Sequence, residues 1–140
     1  MNRLWRVTVL LLVGFAASGC GFGGEKATGP GIIGTWDGEY VDDFNNLQRL
    51  ITITIDRQTQ DIVTGSYKCT GSATAVCTHP AATGTVNGLI TDDRIVARVR
   101  ADGNSTFTCD YSGVISADAI QGTFSCSDST DTGTFRVFRS

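Results

Sequence analysis

The chain has 140 residues, the length of one domain, which excludes a multidomain enzyme. Apolar residues make up 41% and charged residues 18%, so this is not the composition of a disordered protein. A net charge of −3 argues against a nucleic-acid reader, and a single histidine, His79, excludes a paired-histidine mechanism or a histidine-based metal cluster.

The first twenty residues read as an address. Arg3 and Arg6 form a short basic region, and the apolar run Val7–Ala17 follows. That run is too short to span a bilayer, which takes about 20 residues, but it suits the apolar centre of a secretory signal. It leads into Ala17-Ser18-Gly19-Cys20, small residues before a cysteine. This resembles the lipobox of bacterial lipoprotein signal peptides. The resemblance implies cleavage before Cys20, a diacylglycerol on its thiol and acylation of the new amino terminus. An ordinary signal peptide cut near Gly19 is the alternative. The expected organisation is a signal peptide over 1–19, a lipidated Gly-rich tether over 20–31 and one domain over 32–140. Losing Arg3 and Arg6 makes the mature chain more acidic, so acyl chains and not basic residues would hold it at an anionic lipid surface.

From Gly31 onward apolar residues alternate with period two, and no helical period appears. The predicted strands are Ile33–Val41, Arg49–Asp56, Asp61–Thr70, Thr83–Thr91, Arg94–Ala101, Ser105–Ser116, Asp118–Cys126 and Gly133–Arg139. Trp36, Gly38 and Tyr40 share a face, as do Ile51, Ile53 and Ile55, and Ile95, Ala97 and Val99. Short connections make sequence neighbours antiparallel neighbours, and a sheet with one apolar face must close or stack. The fold class expected is all-β: an eight-stranded antiparallel up-and-down β-barrel, with a β-sandwich or an incompletely closed barrel as alternatives. An internal repeat supports hairpins. Val86-x-Gly88-x-Ile90 with Ile95-x-Ala97-x-Val99 recurs 25 residues later as Tyr111-x-Gly113-x-Ile115 with Ile120-x-Gly122-x-Phe124. Its two-residue turns are Asp92-Asp93 and Ala117-Asp118.

Cys69, Cys77, Cys109 and Cys126 sit in a chain read as exported, where disulfides are favoured. If Ala117-Asp118 is a two-residue turn, Cys109 and Cys126 stand opposite each other at disulfide range. Cys69 and Cys77 then close a small loop. Zinc lacks a C-x-x-C spacing, and Asp128–Gly133 lacks the calcium-loop pattern, so no metal and no cofactor is expected.

In a meander the connections 42–48, 71–82, 102–104 and 127–132 gather at one end, the mouth, with all four cysteines. The connections 57–60, 92–93 and 117 gather at the other, with both ends of the domain. There Gly34-Thr35-Trp36 opens the first strand, within GTWDGEY. This Gly-x-Trp resembles the opening signature of the calycins, the lipocalins and avidin-like proteins. The resemblance implies a Trp at the closed barrel base against a late basic side chain. Here these are Trp36 and Arg139, whose parity matches Phe135 and Val137.

Inward glycines recur at mid-strand: Gly38, Gly65, Gly88, Gly113 and Gly122. They either empty the barrel for a ligand or let strands coil and rings lie over bare backbone. Tyr40, Tyr67, Phe107, Tyr111 and Phe124 are the candidate ligand-lining residues, or else they fill the core. Three inward hydroxyls would each need a partner. Phe44, among acidic and amide residues at the mouth, is either a contact tip or a ring folded over the rim. Arg94, Arg98 and Arg100 form an outward stripe, a partner patch or a solvated face paired with nearby Asp residues. No catalytic set is evident, and no enzyme activity is expected.

The function expected is that of a lipid-anchored lipoprotein of the cell envelope whose barrel binds a small or amphipathic ligand. The alternative is a protein-contact role at the envelope, inhibitor-like or structural. The expected place is outside the cytoplasm, at the outer membrane facing the periplasm, with the membrane as a partner through Cys20 and no nucleic acid.

Overall fold

A computed structural model describes residues 29–43, 48–70, 83–103, 106–127 and 132–140. Eight strands form one closed barrel: β1 (Gly34–Asp42), β2 (Gln48–Thr59), β3 (Ile62–Thr70), β4 (Thr83–Thr91), β5 (Arg94–Ala101), β6 (Thr108–Ile115), β7 (Ala119–Cys126) and β8 (Thr132–Arg139). Every strand pairs antiparallel with its neighbour in sequence, and β1 pairs with β8 to close the circle. The open-sheet and sandwich alternatives are thereby excluded.

The period-two pattern is the physical cause. In β5 the residues Ile95, Ala97, Val99 and Ala101 are buried, while Arg94, Val96, Arg98 and Arg100 face solvent. The same alternation in β6 and β8 puts one apolar face of each strand inside. Closure then hides all of these faces at once and leaves no edge. The ladders are staggered. Paired residues lead from Asp42 through Gly133, Phe124, Tyr111, Ala97, Gly88 and Val63 to Gln58. That path begins at the mouth end of β1 and finishes at the base end of β2, the stagger that tilts strands in a closed barrel.

The turns follow the sequence closely, with one departure. Thr91 faces Arg94 across Asp92-Asp93, and the strain of the tight turn falls on Asp92, at φ 55°. Ile115 faces Ile120, and the Ser116 amide bonds the Ala119 carbonyl at 2.8 Å, so Ala117-Asp118 is a two-residue turn. The departure is in β2, which does not stop at Asp56 but continues to Thr59, leaving only Gln60-Asp61 as the turn. A bulge between Ile55 and Arg57 makes this possible, because the register shifts there by one residue. The extra residue reverses parity, so Gln58 and not Arg57 stands beside the buried Val63. β6 also starts later than the sequence suggests, at Thr108 and not Ser105.

Candidate functional site

The barrel interior is built in two layers of different chemistry. The base layer is aliphatic around Trp36, with Ile55, Val63, Ile90, Ile95, Ile115, Ile120 and Val137 buried beside it. The segment before β1 seals it from below. Ile32 is fully buried, and its carbonyl accepts the Trp36 indole N–H at 2.9 Å. The Gln58 amide, turned here by the bulge, accepts from the Ile32 N–H at 2.9 Å and donates to the Pro30 carbonyl at 3.1 Å. The Asp61 carboxylate accepts the Gly29 N–H at 3.3 Å. Residues 29–31, assigned to the tether from sequence, are therefore tied to the base of the barrel.

Arg139 closes this end. Its guanidinium carbon lies 4.4 Å from the Trp36 ring centroid, and its nitrogens donate to the carbonyls of Ile33 at 3.0 Å and Gly31 at 3.2 Å. Trp36 and Arg139 are direct register partners across the β1–β8 seam. The planar guanidinium suits the place because it stacks on an indole and donates sideways at the same time.

The mouth layer is aromatic and polar. Three of the five candidate lining residues meet there, joined by Phe135. Tyr111 stacks on Phe124 with centroids 5.4 Å apart, Tyr40 meets the same ring edge-on at 5.5 Å, and Phe135 meets Tyr111 at 5.1 Å. Tyr67 is buried in the same half of the barrel, and Phe107 is buried just before β6. Two charged residues that the sequence reading did not single out also turn inward, Asp42 and Arg49, both buried. Their signal was parity: Asp42 continues the series Trp36, Gly38, Tyr40, and Arg49 begins the series Ile51, Ile53, Ile55.

The rings fill the space between the layers. The void enclosed by Ile32, Trp36, Ile53, Ile55, Val86, Tyr111 and their neighbours measures about 40 Å³ and has an apolar lining. A small-molecule pocket usually takes about 300–1,000 Å³. A void without polar partners does not hold an ordered water. Among the described residues, then, the base half of the barrel is packed around an apolar void too small for a ligand. The mid-strand glycines take part in that packing and do not open space. A Cβ on Gly38 would overlap the Arg136 carbonyl, one on Gly65 the Thr54 carbonyl, and one on Gly122 the Ser112 carbonyl.

The polar groups of the mouth layer are unevenly satisfied. The Tyr40 hydroxyl lies 3.8 Å from Cys69 Sγ. Among the described residues, the Tyr111 hydroxyl is buried without a hydrogen-bond partner. Burial, reinforced by the other tyrosines, pushes the Tyr111 phenol well above its ordinary pKa of 10.0; burial and then Asp102 push Tyr67 the same way. A buried unsatisfied hydroxyl costs about 1–3 kcal/mol. Tyr111→Phe is accordingly expected to raise unfolding free energy by about 1 kcal/mol at neutral pH in urea titrations. The sign of the pH effect follows from the raised pKa. Below pH 10 the phenol is neutral in both states. Above it the unfolded chain loses a proton that folded Tyr111 keeps, so stability falls by about 1.4 kcal/mol per pH unit per such tyrosine. Tyr111→Phe should lessen that alkaline loss. A loss of stability in this variant would mean that the hydroxyl has a polar partner.

The described cysteines, Cys69, Cys109 and Cys126, gather at the mouth end. Cys109 and Cys126 are opposed in the β6–β7 ladder and form a disulfide, their Cα atoms 3.9 Å apart. In the chain-entropy view a loop of this size contributes about 3 kcal/mol. Cys69 is also disulfide-bonded. Cys77, its partner in the sequence reading, lies outside the described residues, as do Cys20, Phe44 and His79. On the outer wall, Arg98 grips Asp110 through two hydrogen bonds of 2.7 and 2.9 Å, which holds the Asp110 carboxyl below its ordinary range. Both side chains are more than half exposed, so the pair adds little to stability. Part of the arginine stripe is thus a solvated face.

No protein-family model matches this chain, and no curated protein does. A solved structure described as a redesigned beta barrel is similar to it, with a TM-score of 0.58 at 9% sequence identity over 77% of this chain and 90% of that one. At that identity the likeness is one of fold: an all-β, closed, eight-stranded antiparallel barrel.

Proposed function

We propose that this protein is a lipid-anchored lipoprotein outside the cytoplasm that acts through the mouth of its barrel, by contact with another envelope protein. The observation that carries this reading is the packed base half of the interior. The base is sealed by Ile32, Trp36 and Arg139, and the enclosed void of about 40 Å³ is too small for a ligand. The buried polar groups Asp42, Arg49 and the tyrosines concentrate instead toward the mouth, the end braced by Cys109–Cys126. The lipobox at Ala17-Ser18-Gly19-Cys20 supports the anchor, and the chain enters the barrel at the opposite end from the mouth. An anchored barrel therefore turns its mouth away from the membrane.

A second reading rests on the unpartnered Tyr111 hydroxyl: a small polar or amphipathic ligand that enters through the mouth and accepts its hydrogen bond. The two separate by titration of the purified domain-bearing chain with a fluorescent fatty acid. Absence of saturable binding is expected. One-site binding that Tyr111→Phe weakens would transfer the function to the interior. The anchor is tested on Cys20→Ser, which should lose incorporation of labelled acyl chain and leave the membrane fraction. Labelling that persists in this variant would sink the lipoprotein reading.

A further inference from the structure

We infer that the base of the barrel rests on a lipid surface through a girdle of outward apolar side chains, an inference that builds on the lipid anchor proposed above. Among the described residues seven large apolar side chains are exposed: Ile33, Leu50, Ile62, Leu89, Val96, Val114 and Phe138. Scattered singly, such residues carry no meaning. Here they are not scattered. Ile62 is the first residue of β3, Leu89 lies near the end of β4, Val96 near the start of β5, and Val114 and Phe138 next to last in β6 and β8. Ile33 immediately precedes β1. In an up-and-down barrel all six positions lie at the base, and only Leu50, near the start of β2, lies at the mouth.

Four of the six are also neighbours across strands. Ile62 faces Leu89, and Leu89 faces Val96, in one unbroken row over β3, β4 and β5. Val114 faces Arg94 and so stands diagonally from Val96. Phe138 faces Ala119 on the far side, under the Arg136 guanidinium at 4.7 Å. The apolar row thus runs over β3 to β6, with Phe138 and Ile33 apart from it, and is broken at β7, where Gln121 faces Val114, and at β2, where the bulge presents Asp56 and Arg57.

The occupant is indicated by where the chain leaves the barrel. Gly29 is tied to Asp61 at this same end, and Cys20 precedes it by nine residues. Nine residues reach at most about 30 Å, and on average about 15–18 Å for a Gly-rich chain. An acylated Cys20 therefore brings the base, and not the mouth, within reach of the lipid headgroups. Apolar side chains there shed water against the acyl boundary. The carboxylates Asp56, Asp61, Asp92, Asp93 and Asp118 share this end with Arg57, Arg94 and Arg139, so the rim is acidic on balance and suits a zwitterionic surface better than an anionic one.

The test uses the full chain carrying a photoreactive phenylalanine analogue at Leu89, Val96 or, as control, Leu50, reconstituted in phosphatidylcholine vesicles, with acylation read from the intact mass. The expected result is crosslinking to lipid from Leu89 and Val96 at least several-fold above that from Leu50. Leu89→Ser with Val96→Ser, both outward and so neutral to the fold, should reduce lipid crosslinking from an analogue at Phe138 several-fold with acylation unchanged. An acylated chain that crosslinks equally from both ends, or not at all, overturns the girdle and leaves the anchor standing. Crosslinks between two chains through Val96 overturn it in favour of a second copy. A chain without acyl groups removes the anchor, and the girdle then stands only if Leu89 and Val96 still crosslink to lipid above Leu50.

Discussion

Trp36→Ala is expected to lower unfolding free energy by about 3–5 kcal/mol, the cost of emptying a fully buried aromatic site. Trp36 has no exposed surface, and its N–H fixes the plug residue Ile32 at 2.9 Å. The substitution therefore leaves a void at the base and also loosens the segment that seals it. Arg139→Ala should cost less, about 0.5–2 kcal/mol for the cation over the ring, together with its two carbonyl contacts to Ile33 and Gly31. Arg139→Lys should restore only part of this loss, because an ammonium cannot stack and fork at once. In denaturant titrations the double variant should lose less than the two single losses combined, since the shared contact disappears once. Strict additivity would show that the two side chains act independently despite the 4.4 Å stacking.

Gly122→Ala should cost about 3 kcal/mol or more, although it adds one methyl group. The added carbon would overlap the Ser112 carbonyl and come within 2.6 Å of Gly113 Cα. Both obstacles are backbone of the partner strand, so no rotamer change relieves them. Gly113 stands directly opposite Gly122, and the rim of the Phe135 ring occupies the space a side chain there would take. Gly31→Ala is the control: nothing lies near its added carbon, and a change within about 0.5 kcal/mol is expected in the same measurement. A tolerated Gly122→Ala would mean that β6 and β7 can separate, and that the interior can open where it is now packed.

Much of the barrel was legible because period-two parity is a strong signal and tight turns carry it from strand to strand. The Ala117-Asp118 turn sets the β6–β7 register, and that register alone brings Cys109 to Cys126. The bulge was not legible. Nothing in the Asp56-Arg57 pair announces an extra residue, yet it decides that Gln58 faces the base and receives the entering chain. Ile32 was missed for a related reason. It lies outside any alternating run, and its burial follows from the plug it forms, a tertiary fact. Parity places the mid-strand glycines inward but leaves two meanings open. Only the position of the neighbouring carbonyls distinguishes a glycine that makes room from one that has none. Asp42 and Arg49 were visible by parity, but charged residues at strand ends are ordinarily assigned to solvent.

The closing seam has a consequence for how the molecule comes into being. Seven of its eight ladders join strands adjacent in the chain, while the eighth joins the first strand to the last. Chains emerge from a ribosome or a translocation channel amino terminus first. Seven hairpin pairings can therefore form as the polypeptide appears, but one side of β1 stays unzipped until β8, only eight residues long, has emerged. During that interval β1 offers bare backbone donors and acceptors to any passing strand, including β8 of another copy. Loss of the final strand would make this exposure permanent. A truncation before Thr132 should therefore yield polymers linked head to tail, the bare β7 edge of one molecule meeting the bare β1 edge of the next.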